Sequence, residues 1–251
     1  MRLKSVLYLL IEKLLSHWTD KIVCISKAEQ ISAERTHIAN AGKLVLIPNG
    51  IDILAVRHAI PKSRSDIGIA EDAFVVGMIG RLSVQKAPDV FIRAAKFIHD
   101  AIPNSEFIIV GGGNETELVK AFADENELRL IVTGWTDEPY AYLKVFDVAM
   151  LLSRWEGFGL AVVEYMAAEK NVVATNIDAL PTLIDDRVDG LLVEVDNPRD
   201  AADKVVWIYN HPKESEQMRV NALNKAIKNY DINRVVNQHV DMFVKLCNLG
   251  G

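Results

Sequence analysis

Short apolar runs alternate with helical periods along most of this sequence. Each run is rich in Val, Ile or Leu, which is typical of a strand buried on both faces of a sheet. The runs that we interpret as parallel strands are Phe74–Ile79, Glu106–Val110, Arg129–Val132, Asp147–Leu152 and Asn171–Ala174. Helical segments near residues 88–100, 115–127, 140–145 and 160–168 follow them. This repeated order predicts an α/β fold, a doubly wound parallel sheet with helices on both faces.

Length and charge limit the class of protein. The 251 residues are 50% apolar and 25% charged, which indicates a globular chain of one large or two small domains. A net charge of −6 argues against a general nucleic-acid binder, but it does not exclude a small anionic ligand. Cys24 and Cys247 are too few for a disulfide framework, so we expect a cytoplasmic protein in a reducing compartment.

The first 52 residues contain too little structure for a sheet of their own. Leu3–Leu15 is predicted to be an amphipathic or buried helix, because charges interrupt it and it is shorter than a membrane span. The strand Lys21–Ile25, a helix over 27–41 and the strand Lys43–Ile47 follow. We expect residues 1–52 to be the last part of a larger domain.

Two cations follow the first strand of the main sheet. Gly80 permits a tight turn, and Arg81 and Lys86 then precede a helix that Pro88 is predicted to begin. Ligands of open parallel sheets bind at the carboxyl ends of the strands, so this loop is a candidate diphosphate site. Arginine offers a planar fork of donors and lysine a compact charge. Two solvated surface cations are the alternative interpretation.

Two carboxylates flank a glycine-containing turn after the strand Asp147–Leu152. Glu156 precedes the turn, and Glu164 lies inside the next predicted helix. Gly157 and Gly159 allow backbone N–H groups to approach an anion, and the helix N-terminus adds about half a positive charge. A carboxylate accepts several hydrogen bonds, so the pair would suit two hydroxylated parts of one long ligand. A helix-terminal acid plus a solvated glutamate is the alternative.

Other motifs give weaker signals. Gly111–Gly113 resembles a dinucleotide fingerprint only loosely, because the third glycine is absent. The hypothesis of an NAD-dependent oxidoreductase rests on this turn alone. Trp135 would flank a nucleobase or cover the rim of the sheet. Tyr140, Tyr142 and Phe146 recur at helical spacing, which favours a core. The histidine spacing indicates no metal site, and we expect no cofactor.

The loops, taken in order, resemble the donor-binding half of the retaining glycosyltransferases of family 4, whose GT-B fold has two facing Rossmann-like domains. The Glu156–Glu164 pair is the most specific match. The resemblance implies a nucleotide-sugar-binding domain over 53–228, a remnant of the acceptor-side domain over 1–52, and a helix over 229–251 that crosses back. The matching segments are Val45–Asp52, Gly80–Lys86, Val110–Gly113, Ser153–Ala167 and Gly190–Val193.

The resemblance implies a metal-independent sugar transfer with retention of anomeric configuration. Arg81 and Lys86 would bind the donor diphosphate and stabilise the departing nucleotide. Glu156 would contact the transferred sugar. The implied catalytic residues are thus Arg81, Lys86 and Glu156. Glu164 would hold the ribose hydroxyls, and backbone N–H groups near Gly159 would cap the phosphate. The implied donor-binding residues are Gly80, Arg81, Lys86, Gly157, Phe158, Gly159, Leu160 and Glu164.

The resemblance also implies partners. The donor would be a UDP- or GDP-sugar, and the acceptor a saccharide or a lipid-linked glycan, which adds the inner membrane face as a location. Family members have a further front domain, so we expect a truncated form, one chain of a two-chain enzyme, or a homo-oligomer through exposed apolar helices. No nucleic-acid partner is expected. The alternative is a non-enzymatic nucleotide or nucleotide-sugar binding module.

This sequence departs from the family's pattern at several positions. Ala87 stands where a glycine is usual, and Glu169 and Asn171 stand where glycine and proline are usual. The loop 178–182 lacks the usual paired glycines and the following glutamate. That loop lies near the donor sugar in the family, so the identity of the sugar stays open.

Overall fold

A computed structural model describes residues 2–249 of the chain. The strands are β1 Ile22–Cys24, β2 Leu44–Leu46, β3 Phe74–Ile79, β4 Ser105–Val110, β5 Leu130–Val132, β6 Val148–Leu151, β7 Asn171–Thr175 and β8 Leu191–Val193. The helices are α1 Arg2–Leu15, α2 Lys27–Arg35, α3 Ile53–His58, α4 Pro88–Ala101, α5 Thr116–Glu125, α6 Pro139–Leu143, α7 Leu160–Ala167, α8 Leu180–Leu183, α9 Pro198–Asn210, α10 Pro212–Tyr230 and α11 Ile232–Leu249.

The main sheet has six parallel strands in the order β5-β4-β3-β6-β7-β8. Counted from β3, this is the Rossmann order 3-2-1-4-5-6, which confirms the predicted doubly wound α/β fold. The direction of winding reverses between β3 and β6, which are direct neighbours. A crevice therefore opens at the carboxyl ends of β3 and β6, and the two loops singled out in the sequence follow these two strands.

The sheet is buried on both faces, as its apolar runs predict. In β3, Val75 packs into one hydrophobic cluster with α7 and α10, and Val76 packs into the other with α4 and α9. Neither valine is exposed to solvent. The two clusters hold the strand ends in place, so loops that leave those ends begin at fixed positions.

The N-terminal part forms a separate, two-stranded parallel sheet, in which Ile22 of β1 pairs with Leu44 of β2. An isolated sheet of two strands is only marginally stable. Ile51 joins this part to the rest, because its N–H donates to the Tyr230 carbonyl and its carbonyl accepts from the Ile232 N–H, each at 2.9 Å. The junction thus lies between α10 and α11.

Helices α1 and α11 each expose several apolar side chains to solvent. Among residues 2–249, no helix combines the length and hydrophobicity required to cross a bilayer. The exposed apolar side chains on these helices are Val6, Leu7, Tyr8, Leu10, Ile11, Leu14 and Leu15 of α1, and Val236, Val240, Phe243 and Val244 of α11.

One predicted helix boundary was wrong, and one short helix was not predicted. The helix expected over 27–41 ends at Arg35, because His37 adopts a left-handed φ of 51° that stops the helix. The segment after Asp52, for which the sequence analysis predicts no element, forms α3. The Asp52 carboxylate accepts from the Ala55 N–H at 2.8 Å and so caps this short helix.

Candidate functional site

The two predicted loops meet at the crevice between β3 and β6. Lys86, in the loop before α4, donates from Nζ to Oε2 of Glu156, in the loop before α7, at 2.5 Å. The side chains are only 20% and 11% exposed, so this ion pair is partly shielded from water. The sequence predicts these two groups in one crevice, and the structure brings them into contact.

Glu156 is held on two further sides. Ser153 Oγ donates to its Oε2 at 3.2 Å. The Glu156 N–H donates to Oδ2 of Asp178 at 2.9 Å. Asp178 has a left-handed φ of 49° and lies in the loop that departs from the family's pattern. The backbone and the carboxylate of Glu156 are therefore both fixed before any ligand arrives.

Glu164 lies in the second turn of α7, in a more enclosed setting. Its Oε1 accepts from the Tyr140 hydroxyl of α6 at 3.0 Å. Burial raises the pKa of Glu164, and the Tyr140 hydrogen bond and the charge of Lys86 only partly oppose this rise. Lys86 thus acts on both carboxylates that the sequence analysis proposed for the site.

The N-terminus of α7 is arranged to present backbone donors. Gly159, the residue before the helix, has a φ of +98°, and a Cβ atom there would lie 2.6 Å from Leu180 Cδ2. Glycine is therefore required at this position. The first N–H groups of a helix lack partners within it, so those of Leu160 and Ala161 are available to an anion.

Phe158 does not offer its ring to a ligand. The residue is 4% exposed and its ring packs edge-on against Tyr230, with centroids 5.8 Å apart. Any contact of Phe158 with a donor would use its main chain. Gly157 is exposed, and Leu160 presents its side chain to solvent at the start of α7.

Arg81 lies at the edge of a neighbouring cavity of about 320 Å³ at the carboxyl ends of β3 and β4. Gly111 lies tightly against the loop of Arg81, because a Cβ atom there would lie 2.1 Å from the Gly80 carbonyl oxygen. Trp135, which is 86% exposed, and Pro139 also line the cavity. The cavity is a largely apolar slot beside a cation.

Arg154 is a site residue that sequence reasoning missed. Its Nη2 donates to Asp89 of α4 at 2.7 Å, and its Nε donates to Asp196 at 2.6 Å. Its Nη1 donates to the Val84 carbonyl at 2.9 Å, and its backbone N–H donates to the Gln85 carbonyl at 2.8 Å. Arg154 therefore fastens the loop before α7 to the loop before α4. Arg154 lies within the segment Ser153–Ala167 that matches the family, and this position was the only signal in the sequence that it belongs to the site.

Tyr140 is the second missed residue. The sequence interpretation assigned Tyr140, Tyr142 and Phe146 to a core, which holds for Phe146 at 1% exposure. The Tyr140 hydroxyl instead reaches Glu164 in the candidate site. Within residues 2–249, no group of three or more His, Cys, Asp or Glu side chains is placed to hold a metal ion.

The match to known proteins covers most of this architecture. The family profile described as Glycosyl transferases group 1 matches residues 59–225, which is more than half of the chain. The chain therefore belongs to this glycosyltransferase family, and the resemblance inferred from its motifs is confirmed.

Individual relatives share the fold over most of the chain. An Escherichia coli protein, a UDP-Gal:alpha-D-GlcNAc-diphosphoundecaprenol alpha-1,3-galactosyltransferase, is 28% identical over 96% of this chain and 64% of its own length. The crystal structure of HepE from Anabaena in complex with UDP aligns with a TM-score of 0.81 and 23% identity, over 90% of this chain and 64% of that one. The chain thus spans less than two thirds of the length of these relatives.

A third structure is matched over its full length. The C-terminal domain of the group 1 family protein LpcC from Francisella tularensis aligns over its full length with 73% of this chain, at a TM-score of 0.65 and 24% identity. About three quarters of this chain therefore shares its fold with this C-terminal domain.

Proposed function

We propose that this chain provides the donor half of a glycosyltransferase that moves a sugar from a nucleotide-sugar to an acceptor. The observation that carries the proposal is the contact between Lys86 and Glu156 at the β3/β6 crevice, with Glu164 further along in α7. A cation between two carboxylates, beside a helix N-terminus, suits a ligand that is anionic at its centre and hydroxylated at both ends.

The diphosphate of the donor would lie over Lys86, Arg81 and the N-terminus of α7. Charge develops on the departing phosphate as the bond to the sugar breaks, so fixed positive groups at this point stabilise the transition state. These groups belong to the protein, and the proposed transfer requires no metal ion or cofactor.

The nucleoside would lie between Glu164 and the slot beside Trp135. Glu164 is proposed to accept from the ribose hydroxyls, since a buried carboxylate has lone pairs left for them. The base would enter the slot of about 320 Å³ against Gly111 and Gly112. UDP is the favoured nucleotide, because the E. coli relative is named for a UDP-sugar and the HepE structure contains UDP.

The sugar would lie at Glu156, at the other end of the diphosphate. We propose transfer with retention, in which the leaving phosphate assists the attack of the acceptor on the same face of the sugar. Glu156 would orient the sugar, and positioning would supply much of the rate enhancement. The acceptor is proposed to be a saccharide or a lipid-linked glycan, and the second of these would bring the protein to the cytoplasmic membrane face.

Full activity is proposed to require a second Rossmann-like domain. Residues 1–52 would belong to that domain, 53–228 would form the donor domain, and 229–251 would cross back to pack on the second domain. The marginal β1–β2 sheet and the apolar faces of α1 and α11 support this division, because exposed apolar patches mark contact surfaces. The same polypeptide or a partner would supply the rest.

Thermal unfolding with UDP, GDP and ADP at millimolar concentration tests the donor site. A ligand at 100 times its Kd adds about 2.7 kcal/mol to the unfolding free energy, which is a clear rise in Tm. We expect UDP to raise the Tm, and Arg81→Ala to remove the rise. The proposal fails if none of the three nucleotides raises the Tm of the well-folded protein.

A transfer assay separates the enzyme from a binding module. The chain is incubated with a UDP-sugar and a lipid-linked glycan, with and without the protein of the neighbouring gene, and the product is analysed for anomeric configuration. Product with retention supports the enzyme. Nucleotide binding without transfer in either mixture favours the binding module.

A further inference from the structure

Tyr140 contacts Glu164, and its position in the sequence does not indicate this contact. The phenolic hydroxyl donates to Glu164 Oε1 at 3.0 Å, across 24 residues of chain. Within residues 2–249, this is the only hydrogen bond that the Glu164 side chain makes. One carboxylate oxygen is therefore occupied and the other, Oε2, is left without a protein donor.

The surroundings keep the Tyr140 phenol protonated near neutral pH. Burial and the neighbouring charge of Glu164 both raise the pKa of Tyr140, so the phenol keeps its proton and acts as the donor. Lys86 influences Glu164 by its charge, but its hydrogen bond goes to Glu156. The Tyr140 hydroxyl is thus the group that fixes the rotation of the Glu164 carboxylate.

The place of Tyr140 in the fold links two parts of the proposed site. It is the second residue of α6, directly after Pro139, which lines the slot beside Trp135. The same short helix therefore borders the space for the base and holds the carboxylate for the ribose. A change in the direction of Tyr140 would move both.

We propose that Tyr140 is a positioning residue for nucleoside recognition. Its hydroxyl turns Glu164 so that Oε2 faces the ribose, and it thereby makes the site favour a ribonucleoside over a deoxyribonucleoside. This inference rests on the proposed ribose role of Glu164. It adds a residue, and a discrimination between ligands, that the motif does not contain.

The test compares Tyr140→Phe with wild-type chain by calorimetric titration of UDP, 2′-deoxy-UDP, 3′-deoxy-UDP and pyrophosphate. A hydrogen bond to a charged group contributes about 1.5 kcal/mol, so we expect about tenfold weaker UDP binding. The affinity for at least one of the two deoxy ligands should fall far less than the affinity for UDP. The preference of the wild-type chain for UDP over that ligand should therefore shrink by about tenfold in Tyr140→Phe. Pyrophosphate should bind both proteins equally.

Tyr142→Phe is the matched control on the same helix. The Tyr142 ring lies under Lys62, with Nζ 5.6 Å from the ring centroid, on the side of α6 that faces Lys62. Removing its hydroxyl should leave all four affinities unchanged. An equal UDP loss in both variants would assign the effect to helix packing and overturn the proposal.

A double-mutant cycle with Glu164→Gln distinguishes positioning from general damage. If Tyr140 acts through Glu164, adding Tyr140→Phe to Glu164→Gln should change UDP affinity less than it does in the wild-type background. Fully additive losses, or unchanged discrimination between UDP and both deoxy ligands, overturn the inference. If wild-type chain binds UDP and Glu164→Gln weakens it, the proposed function survives that result. Absence of any nucleotide binding by the wild type would end both.

Discussion

The Lys86 ammonium and the Glu156 carboxylate lie 2.5 Å apart, although 70 residues separate them in the chain. Each lies in a loop at the switch point of the sheet, and each is largely shielded from solvent. An ion pair of this kind both organises the crevice and competes with a ligand for the cation. The first prediction concerns the cation of this pair.

Lys86→Met is expected to weaken UDP and pyrophosphate alike. The lost group would contact phosphate, so its removal should cost both ligands at least tenfold, in the range of one charge-assisted hydrogen bond. Calorimetric titration measures both affinities. Lys96→Met on α4 removes a half-buried lysine that pairs with Asp100, away from the candidate site, and serves as the control. Unchanged pyrophosphate affinity in Lys86→Met would contradict the assignment.

Arg154→Gln is expected to separate the two loops. The substitution removes donors to Asp89 and Asp196. Asp89 Oδ1 is already buried with no hydrogen-bond partner among residues 2–249, so the loss leaves this carboxylate in a poorer environment. We expect a loss of about 1–3 kcal/mol in unfolding free energy by urea denaturation, together with weaker UDP binding.

Arg199→Gln provides the comparison for Arg154. Arg199 forms an exposed pair with Asp203 within α9, and such pairs contribute about 0.3–0.5 kcal/mol. Equal stability losses in the two variants would mean that Arg154 does no more than a surface arginine.

Glu169→Gly is expected to stabilise the protein by about 0.5–1 kcal/mol. Glu169 has a left-handed φ of 60° just after α7, where its N–H donates to the Met166 carbonyl and the Lys170 N–H donates to the Tyr165 carbonyl. This Schellman geometry favours glycine. The contact of Glu169 with Arg57, at 3.9 Å, is exposed and weak.

Glu169→Ala separates backbone conformation from charge. Alanine also lacks the carboxylate but keeps a Cβ atom, so it should not stabilise the protein. Thermal or urea unfolding measures both variants, and an equal gain for alanine and glycine would refute the role of the backbone.

The buried side chain of Lys170 is expected to make the stability of the protein depend on pH. Burial lowers its pKa from 10.5 to about 8, so the folded protein releases this proton near pH 8 while the unfolded chain keeps it until about pH 10.5. Because the unfolded state then binds more protons, the contribution of Lys170 to stability rises from pH 8 to pH 10.5.

Urea denaturation at about pH 7, 8, 9 and 10 measures this slope. Lys170→Met should flatten the rise relative to wild type, and Lys213→Met, at an exposed position of α10, should leave it intact. A slope that is the same in all three proteins would show that Lys170 titrates as an ordinary surface lysine.

The layers of the fold and the two loops of the site could be predicted from the sequence. β3 and β6 are continuous apolar runs, and such runs between helical periods are typical of parallel strands buried on both faces. Lys86, Glu156 and Glu164 could be found because they stand in short motifs beside turn glycines. The left-handed φ of Gly159 is a local property that its residue type already suggests.

Contacts of residues that no motif marks could not be predicted in this way. Tyr140 and Glu164 are 24 residues apart, and helical periodicity gave Tyr140 the same interpretation as the buried Phe146. Arg154 meets Asp89 across 65 residues, and no pattern along the chain relates them. The side chain of Phe158 likewise points into the core, because Tyr230 from α10 packs beside it.

The packing of Phe158 against Tyr230 has a mechanical consequence. The Tyr230 carbonyl also accepts from the Ile51 N–H, so the glycine turn that precedes α7 is attached to the point where β1–β2 and α11 join the six-stranded sheet. A swing of that N-terminal unit about Ile51 would pull on the ring of Phe158 and shift the backbone donors of the turn. Motion of the proposed second domain would in this way be transmitted to the proposed phosphate site through one aromatic pair.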